Sequence, residues 1–242
     1  MCTYYMIFVL GIVLGCITMI ESDNKQFQFR NKRSMNYATK NNDTVYYTID
    51  SKFSTSQKNY ILQQIAKFNK YCEIWFPSVP DKMVSVHFTP NETSCFTLMK
   101  GRAGTSIVNL ADRCFDEGWV MHEMGHALGF QHEHQRRDRD CYVEVDPSVS
   151  GNRNYGIRTN IETSYPYDWT SFMHYRRGTI LRLRPEFYQY QFDQLGTYDA
   201  LSPMDVNKLN FYFCRRGRHY CLINMDVCKK AKEFVKSKKC SK

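Results

Sequence analysis

The sequence predicts an α+β domain, and two observations carry that prediction. The run VYYTI at residues 45–49 and the alternating runs at 83–88 and 105–110 are typical of strands. A long early stretch at 54–69 and a central one instead place their side chains at helical spacing. Because the chain has 242 residues, of which 43% are hydrophobic, it can bury one core of moderate size.

The first predicted element is an uncharged apolar run at residues 6–20. Its 15 residues suit the core of a signal peptide better than a membrane span, which needs about 20 residues. We therefore predict a signal peptide at residues 1–20 and a secreted, extracellular product. We predict no integral membrane segment in the mature chain.

Residues 21–33 form a polar segment that ends in Arg-Asn-Lys-Arg. This ending suits a dibasic processing protease, so we predict a short pro-segment and a mature protein that starts at Ser34. A charged linker that is never cut is the alternative. The sequons at Asn42 and Asn91 become candidate glycosylation sites because the product is predicted to be secreted.

The two longest predicted helices outside the centre carry capping residues. Apolar residues of 54–69 fall on one helix face, and Ser54 or Ser56 can cap its start. Near the other end, Ser202 is followed by a proline and then by an acid three residues on, which predicts a helix leading to Phe213. The intervening residues 139–167 lack periodicity and are predicted to be mostly loop.

The central helix carries a metal-binding motif. His122 and His126 share a helix face, and Glu123 would place its carboxylate beside the metal, where a general base can take a proton from bound water. Gly129 would end the helix and bring His132 back as a third ligand. Three nitrogen ligands with one open position are typical of a catalytic zinc site. An exposed helix with scattered histidines is the alternative, and the extended spacing disfavours it.

The net charge of +9 is concentrated in one part of the chain. Residues 215–242 contain ten Lys and Arg against two acids, so the body of the domain is near neutral. A nucleic-acid partner is not predicted, because such proteins interleave basic and aromatic residues on a defined fold. The tail is interpreted as a solvated face, with weak binding to acidic polysaccharide or to a membrane surface as the alternative.

Cysteine usage indicates an oxidising compartment. Cys2 and Cys16 lie in the apolar N-terminal run, which leaves eight of the ten cysteines from Cys72 to Cys240. An even number behind a predicted export signal favours disulfides. Additional zinc ligands are disfavoured, because paired Cys-x-x-Cys spacing is missing.

Two motifs give the chain a family resemblance. HEMGHALGFQHEHQRRDRD at 122–140 and SFMHY at 171–175 resemble the zinc motif and the Met-turn of the astacin family of metzincin metalloendopeptidases. Shorter matches extend the similarity over roughly residues 37–214.

The resemblance implies a two-lobed, zincin-like catalytic domain at 34–214. An upper mixed, twisted sheet would carry the active-site helix, and an irregular lower lobe would end in a C-terminal helix. One Zn²⁺ per chain would be bound by His122, His126 and His132. The strand around residues 105–110 would bind substrate as an added β-strand.

The resemblance also implies roles for single residues. Tyr175 would be a fifth zinc ligand that swings to hydrogen-bond the tetrahedral intermediate. Met173 would form an apolar floor under the zinc, and Glu133 would meet the new N-terminus at Ser34. The pro-segment departs from the family pattern, since it lacks the Phe-x-Gly-Asp motif and Asp23 is its only aspartate.

The family pairing implies two disulfides, Cys72–Cys214 and Cys95–Cys114. The remaining cysteines allow three connectivities, and we favour one in which Cys141 bridges the tail back onto the catalytic domain. The four are Cys141, Cys221, Cys228 and Cys240.

The predicted function is hydrolysis of peptide bonds in proteins by a monomeric zinc metalloendopeptidase, with Glu123 and Tyr175 as catalytic residues. Four arginines after the Met-turn would favour acidic residues just after the scissile bond, unless they form a solvated loop. They are Arg176, Arg177, Arg182 and Arg184. A non-catalytic zinc protein acting through its basic tail is the alternative, and so is a zinc amidase or sugar-directed hydrolase.

Overall fold

The computed structural model describes residues 44–99, 104–115, 118–190, 195–197, 199–238 and 240. The predicted signal peptide, the pro-segment, Ser34 and Asn42 lie outside these residues and stay predictions.

A five-stranded sheet forms the first half of the described chain, in the order β2-β1-β3-β5-β4. Four of its strands are parallel, and β4 runs antiparallel to β5 at the edge. The strands are β1 (Val45–Ile49), β2 (Trp75–Pro77), β3 (Val86–Thr89), β4 (Phe96–Leu98) and β5 (Ser106–Asn109). Each predicted strand is confirmed, with bounds shifted by at most three residues.

Two helices pack with this sheet. Helix α1 (Thr55–Asn69) begins at a capping box, in which Ser54 and Gln57 exchange side-chain-to-backbone hydrogen bonds of 3.2 and 2.9 Å. Its buried Ile61, Ile65 and Phe68 face the core. Helix α2 (Trp119–Ala127) contacts α1, β4 and β5 and is buried along nearly its whole length. The metal-binding motif therefore sits on an internal helix that the sheet supports.

The second half is irregular, as predicted for residues 139–167. Short 3₁₀ turns alternate with a two-stranded antiparallel sheet of β6 (Val143–Val145) and β7 (Leu181–Leu183). Helix α3 (Pro203–Tyr212) follows, and its cap pairs Ser202 with Asp205 as a second capping box. The predicted helix start is confirmed.

The basic tail is helical, and its described lysines and arginines are exposed, as expected for a solvated charged face. Helices α4 (Tyr220–Ile223) and α5 (Met225–Lys238) fill it. Phe234 and Val235 of α5 pack on a buried cluster around Tyr142 in the irregular half. The apolar positions of α5 recur at helical spacing, a pattern that could have revealed the helix from the sequence.

Four disulfides join the described residues. Cys72–Cys214 and Cys95–Cys114 confirm the pairs that the family resemblance implied. Cys141–Cys240 ties the tail to the catalytic domain, as expected, and Cys221–Cys228 closes a short loop within the tail. Within the described ranges, no helix has the length and apolarity to cross a membrane.

Candidate active site

Helix α2 presents three of the predicted site residues. His122 and His126 lie one turn apart on it, with Glu123 directly after the first histidine. The helix ends at Ala127 with Leu128 as its C-cap, and Gly129 follows with a φ of 92°, a left-handed conformation that glycine adopts without steric cost. The predicted helix stop at this glycine is confirmed.

The three predicted ligands converge. The Nε2 atom of His132 lies 3.0 Å from that of His122 and 2.9 Å from that of His126. Two nitrogens bound tetrahedrally to one zinc at 2.0–2.1 Å are about 3.3 Å apart. The donor set and its spacing therefore fit a zinc ion.

Each imidazole is oriented by an acceptor on its other nitrogen. The Nδ1 atoms of His122 and His126 lie 2.9 Å from the backbone carbonyls of Phe172 and Phe130. Donation from Nδ1–H to a carbonyl leaves the Nε2 lone pair directed at the metal position. His132 differs, because its Nδ1 lies 2.9 Å from the side-chain Oε1 of Gln135.

Gln135 was missed by the sequence analysis, although it is buried beside the third ligand. Its amide nitrogen donates to the carbonyls of Arg153 and Gly156, at 2.8 and 3.2 Å. The side chain thus links His132 to a loop that lies 18 to 21 residues beyond Gln135. The only signal for Gln135 in the sequence is its position three residues after the third histidine.

Burial keeps the three histidines neutral. Desolvation lowers the pKa of His126 to about 4, and it lowers the pKa values of His122 and His132 well below the usual 6.5. The neighbouring imidazoles lower the latter two further. Neutral imidazole is the form that binds a metal.

Glu123 is buried beside these ligands, and desolvation raises its pKa to about 7. The hydroxyl of Thr97 on β4 donates to its Oε2 at 2.8 Å and opposes that rise. The same hydroxyl lies 2.8 Å from the Glu123 carbonyl. A carboxyl with a pKa near neutrality can both accept and return a proton. Thr97 was missed, since nothing in the sequence links it to the motif.

The Met-turn packs directly under α2. Met173 is 1% exposed, and its carbonyl accepts from the Glu133 N–H at 3.1 Å. A Cβ on Gly125 would lie 2.6 Å from the Met173 sulfur and 2.4 Å from the Phe172 ring. The glycine inside the motif is therefore required for the turn to approach the helix.

Asp205 holds the same turn from the other side. Its carboxylate accepts from the Ser171 hydroxyl at 2.8 Å and from the Phe172 N–H at 3.1 Å. The sequence analysis identified this residue only as part of a helix cap, so its link to the Met-turn was missed.

Tyr175 lies beside the ligand cluster. Its ring centre is 4.8 Å from that of His132 and stacks on His134 at 4.0 Å. Burial is the main reason that its pKa rises to about 12. The phenol therefore stays protonated at neutral pH and can donate a hydrogen bond.

Glu133 lies at the centre of a buried ionic network. Its carboxylate accepts from Arg136 at 2.6 Å and from the Asp168 N–H at 3.0 Å, and Lys208 is 3.4 Å away. Burial alone would raise its pKa, but Lys208 and Arg136 outweigh burial and lower the pKa. Because Ser34 lies outside the described residues, the contact expected between Glu133 and the new N-terminus stays a prediction.

The prediction that the strand around residues 105–110 binds the substrate is wrong, because this strand is not at an edge of the sheet. Strand β5 pairs with β3 on one side and with β4 on the other, so residues 106–109 have no edge for a substrate. The outer strand on this side of the sheet is β4, which also carries Thr97.

The chain is similar to known proteins in sequence and in structure. The family model described as Astacin, a peptidase family, matches residues 32–214. Zinc metalloproteinase nas-39 of Caenorhabditis elegans is 28% identical over 195 residues, which cover 74% of this chain and 21% of that protein. Zinc metalloproteinase nas-13 of the same organism is 30% identical over 178 residues, which cover 70% and 39%. The chain thus spans about a fifth to two-fifths of the length of these two relatives.

Two solved structures resemble the fold. High choriolytic enzyme 1, a hatching enzyme zinc-protease from medaka fish (Oryzias latipes), gives a TM-score of 0.62 at 23% identity over 76% of this chain and 97% of that one. Myroilysin gives 0.51 at 21% identity over 74% and 97%. These likenesses confirm the predicted fold class.

Proposed function

Because the chain belongs to the astacin family, we propose that it is a zinc metalloendopeptidase that hydrolyses peptide bonds in proteins. The observation that carries the proposal is the convergence of three neutral imidazoles beside the buried carboxyl of Glu123. His122, His126 and His132 would hold the zinc ion. When bound, zinc supplies a Lewis acid that acidifies a water molecule and polarises the scissile carbonyl.

Glu123 would be the proton carrier of the reaction. Its carboxylate accepts a proton from the attacking water and then delivers it to the leaving amine. Thr97 restrains this carboxylate through the 2.8 Å hydrogen bond, so the proton acceptor is held beside the histidines before substrate arrives. Tyr175 would donate a hydrogen bond from its phenolic hydroxyl to the oxyanion that forms on the carbonyl.

An extended substrate would pair with the outer edge of β4. No other described strand pairs with that edge, and Leu98 and Met99 are exposed there. Strand addition supplies backbone hydrogen bonds that do not depend on the substrate sequence. Because β4 also carries Thr97, a substrate on this edge would lie next to the general base.

The arginines after the Met-turn divide into two pairs. Arg182 and Arg184 lie 4.0 and 3.8 Å from Asp146 and Glu144 of the β6 region. Arg176 and Arg177 are exposed directly after Tyr175, and Arg176 lies 3.5 Å from Asp199. We propose that this second pair favours acidic residues after the scissile bond. Changing it to alanine should remove that preference from a peptide-library cleavage profile, whereas changing Arg182 and Arg184 should leave the profile intact.

We further propose that the protein is secreted, processed after Arg33 and active as a monomer. Its four disulfides support secretion, since disulfides persist in oxidising compartments. A cavity of about 40 Å³ borders Glu133 and Lys208, which gives room for a new ammonium group beside that carboxylate.

The experiment uses the full chain, expressed in a secreting host and supplied with zinc. Glu123→Gln should lower the cleavage rate of a denatured protein by about 10²–10⁴-fold without loss of bound zinc. Glu73→Gln, at an exposed carboxylate, serves as the matched control. If the zinc-loaded wild type cleaves nothing and both variants behave like it, the alternative of a non-catalytic zinc-binding protein replaces this proposal.

A further inference from the structure

A second cavity lies between the tail helix and the irregular half of the domain. It has a volume of about 440 Å³, within the ~300–1,000 Å³ usual for small-ligand sites. Neither the three zinc-binding histidines nor Glu123 and Tyr175 line it. We name it the tail cleft. Its walls are Arg137, Asp138 and Tyr142, residues 163–166, and one face of α5.

The face of α5 that lines the tail cleft is fixed in place. Its lining residues recur at helical spacing, from Cys228 through Ala231 to Val235. Phe234 packs on the buried cluster around Tyr142, and Cys141–Cys240 ties the end of the helix to the opposite wall. The cleft is therefore formed before a ligand binds, which reduces the entropy lost on binding.

The rim of the tail cleft is basic. Arg137 comes from the loop wall, and Lys232 and Lys236 come from α5; all three are exposed. The one carboxylate in the lining, Asp138, is buried and held by Arg136 through two bonds of 2.9 and 2.7 Å. Arg136, which does not line the cleft, neutralises the charge of Asp138. The cleft therefore presents net positive charge to a ligand.

We propose that the tail cleft binds a carboxylated or sulfated sugar unit of an acidic polysaccharide. A bare inorganic anion would leave most of the cavity unfilled. No lining residue belongs to a strand, so the strand addition by which many extended peptides bind is not offered here. A sugar unit instead presents both the anionic group for the rim and the hydroxyls and carbon faces for a mixed floor, such as Thr163, Ser164 and Pro166.

The test compares two pairs of lysines on the same helix. Lys232→Ala with Lys236→Ala removes two charges from the rim, whereas Lys229→Ala with Lys230→Ala removes two exposed charges that do not line the cleft. A heparin-derived tetrasaccharide is titrated into the full zinc-loaded protein at ~0.1 M salt, where the screening length is ~10 Å. We expect the rim pair to weaken binding about tenfold or more and the control pair by less than about twofold, because the control lysines do not line the cleft and act on its ligand only through screened solvent.

Further arms separate the cleft from diffuse charge. Ala231→Phe fills the cleft without changing the charge and should also abolish binding, and unfolding temperatures confirm that each variant is folded. Equal losses in the two lysine pairs would overturn the proposal. So would absence of tetrasaccharide binding by the wild type, or equal binding of a hexaglutamate peptide.

Discussion

The helical part of the candidate site and its loop part are built by different means. In α2, the backbone geometry places His122, Glu123 and His126, and backbone carbonyls orient both imidazoles. In the loop that follows, His132 depends on the Gln135 side chain, and Glu133 depends on Arg136 and Lys208. The difference teaches that side-chain networks replace regular secondary structure where a ligand must come from a loop. Substitutions in the network should therefore cost more than those around the helix.

The largest effect is expected for Arg136→Met. The guanidinium is 1% exposed and bonds to Glu133, Asp138 and the carbonyls of Tyr165 and Pro166. Its removal leaves two buried carboxylates short of a partner, so the free energy of unfolding should fall by about 3–5 kcal/mol in urea titrations. Arg137→Met, at the exposed neighbouring position, should change it little. Equal changes in unfolding free energy at both positions would contradict a stabilising role for the buried network.

Gln135→Leu should weaken zinc binding about 10–100-fold in competition with a chelating dye, because His132 loses the acceptor that orients it. Gln135→Glu keeps an acceptor for His132 but loses the two bonds to the loop carbonyls. It should therefore retain most of the affinity. Equal losses in the two variants would mean that the loop bonds, and not the imidazole contact, position the ligand.

The pH dependence of stability should reveal the contribution of the buried His174, which lies in the loop half. Burial lowers its pKa to about 4, so the unfolded chain, with a histidine pKa near 6.5, binds more protons between these values. Stability from this group is present above pH 6.5 and is lost as pH falls toward 4. The penalty of His174→Gln in unfolding free energy should therefore shrink by about 2 kcal/mol between pH 7 and pH 5. Parallel curves for the two proteins would contradict this.

The smallest effect is expected for Thr97→Val, which removes the hydrogen bond to Glu123 in the helical half. Loss of a hydrogen bond to a charged group, about 1.5 kcal/mol, should lower kcat about tenfold and leave KM nearly unchanged. Thr97→Ser should restore the rate. If kcat of Thr97→Val falls by a larger factor than the zinc affinity of Gln135→Leu, the helical half also depends on side-chain support.

Sequence reasoning recovered the helical half because its rules are local. The spacing of His122 and His126, the stop at Gly129 and the caps at Ser54 and Ser202 all follow from one turn of backbone. In the loop half, His132 followed from the spacing after Gly129, whereas the roles of Glu133 and Met173 came only through the family resemblance. The supporting residues Gln135, Thr97 and Asp205 were missed in both halves because their hydrogen bonds span long sequence distances. The tail helix was missed for another reason, since its charge obscured an apolar face that helical spacing would have revealed.

The connectivity of the disulfides determines what happens when one copy of the protein cleaves another. Cys72–Cys214 and Cys141–Cys240 overlap along the chain, so every peptide bond from residue 72 to residue 240 lies within at least one closed loop. A single cut anywhere in that stretch leaves the two pieces covalently joined. A peptidase at high local concentration would thus be nicked by a neighbour without shedding a fragment, and the damage would go unseen until the sample is reduced.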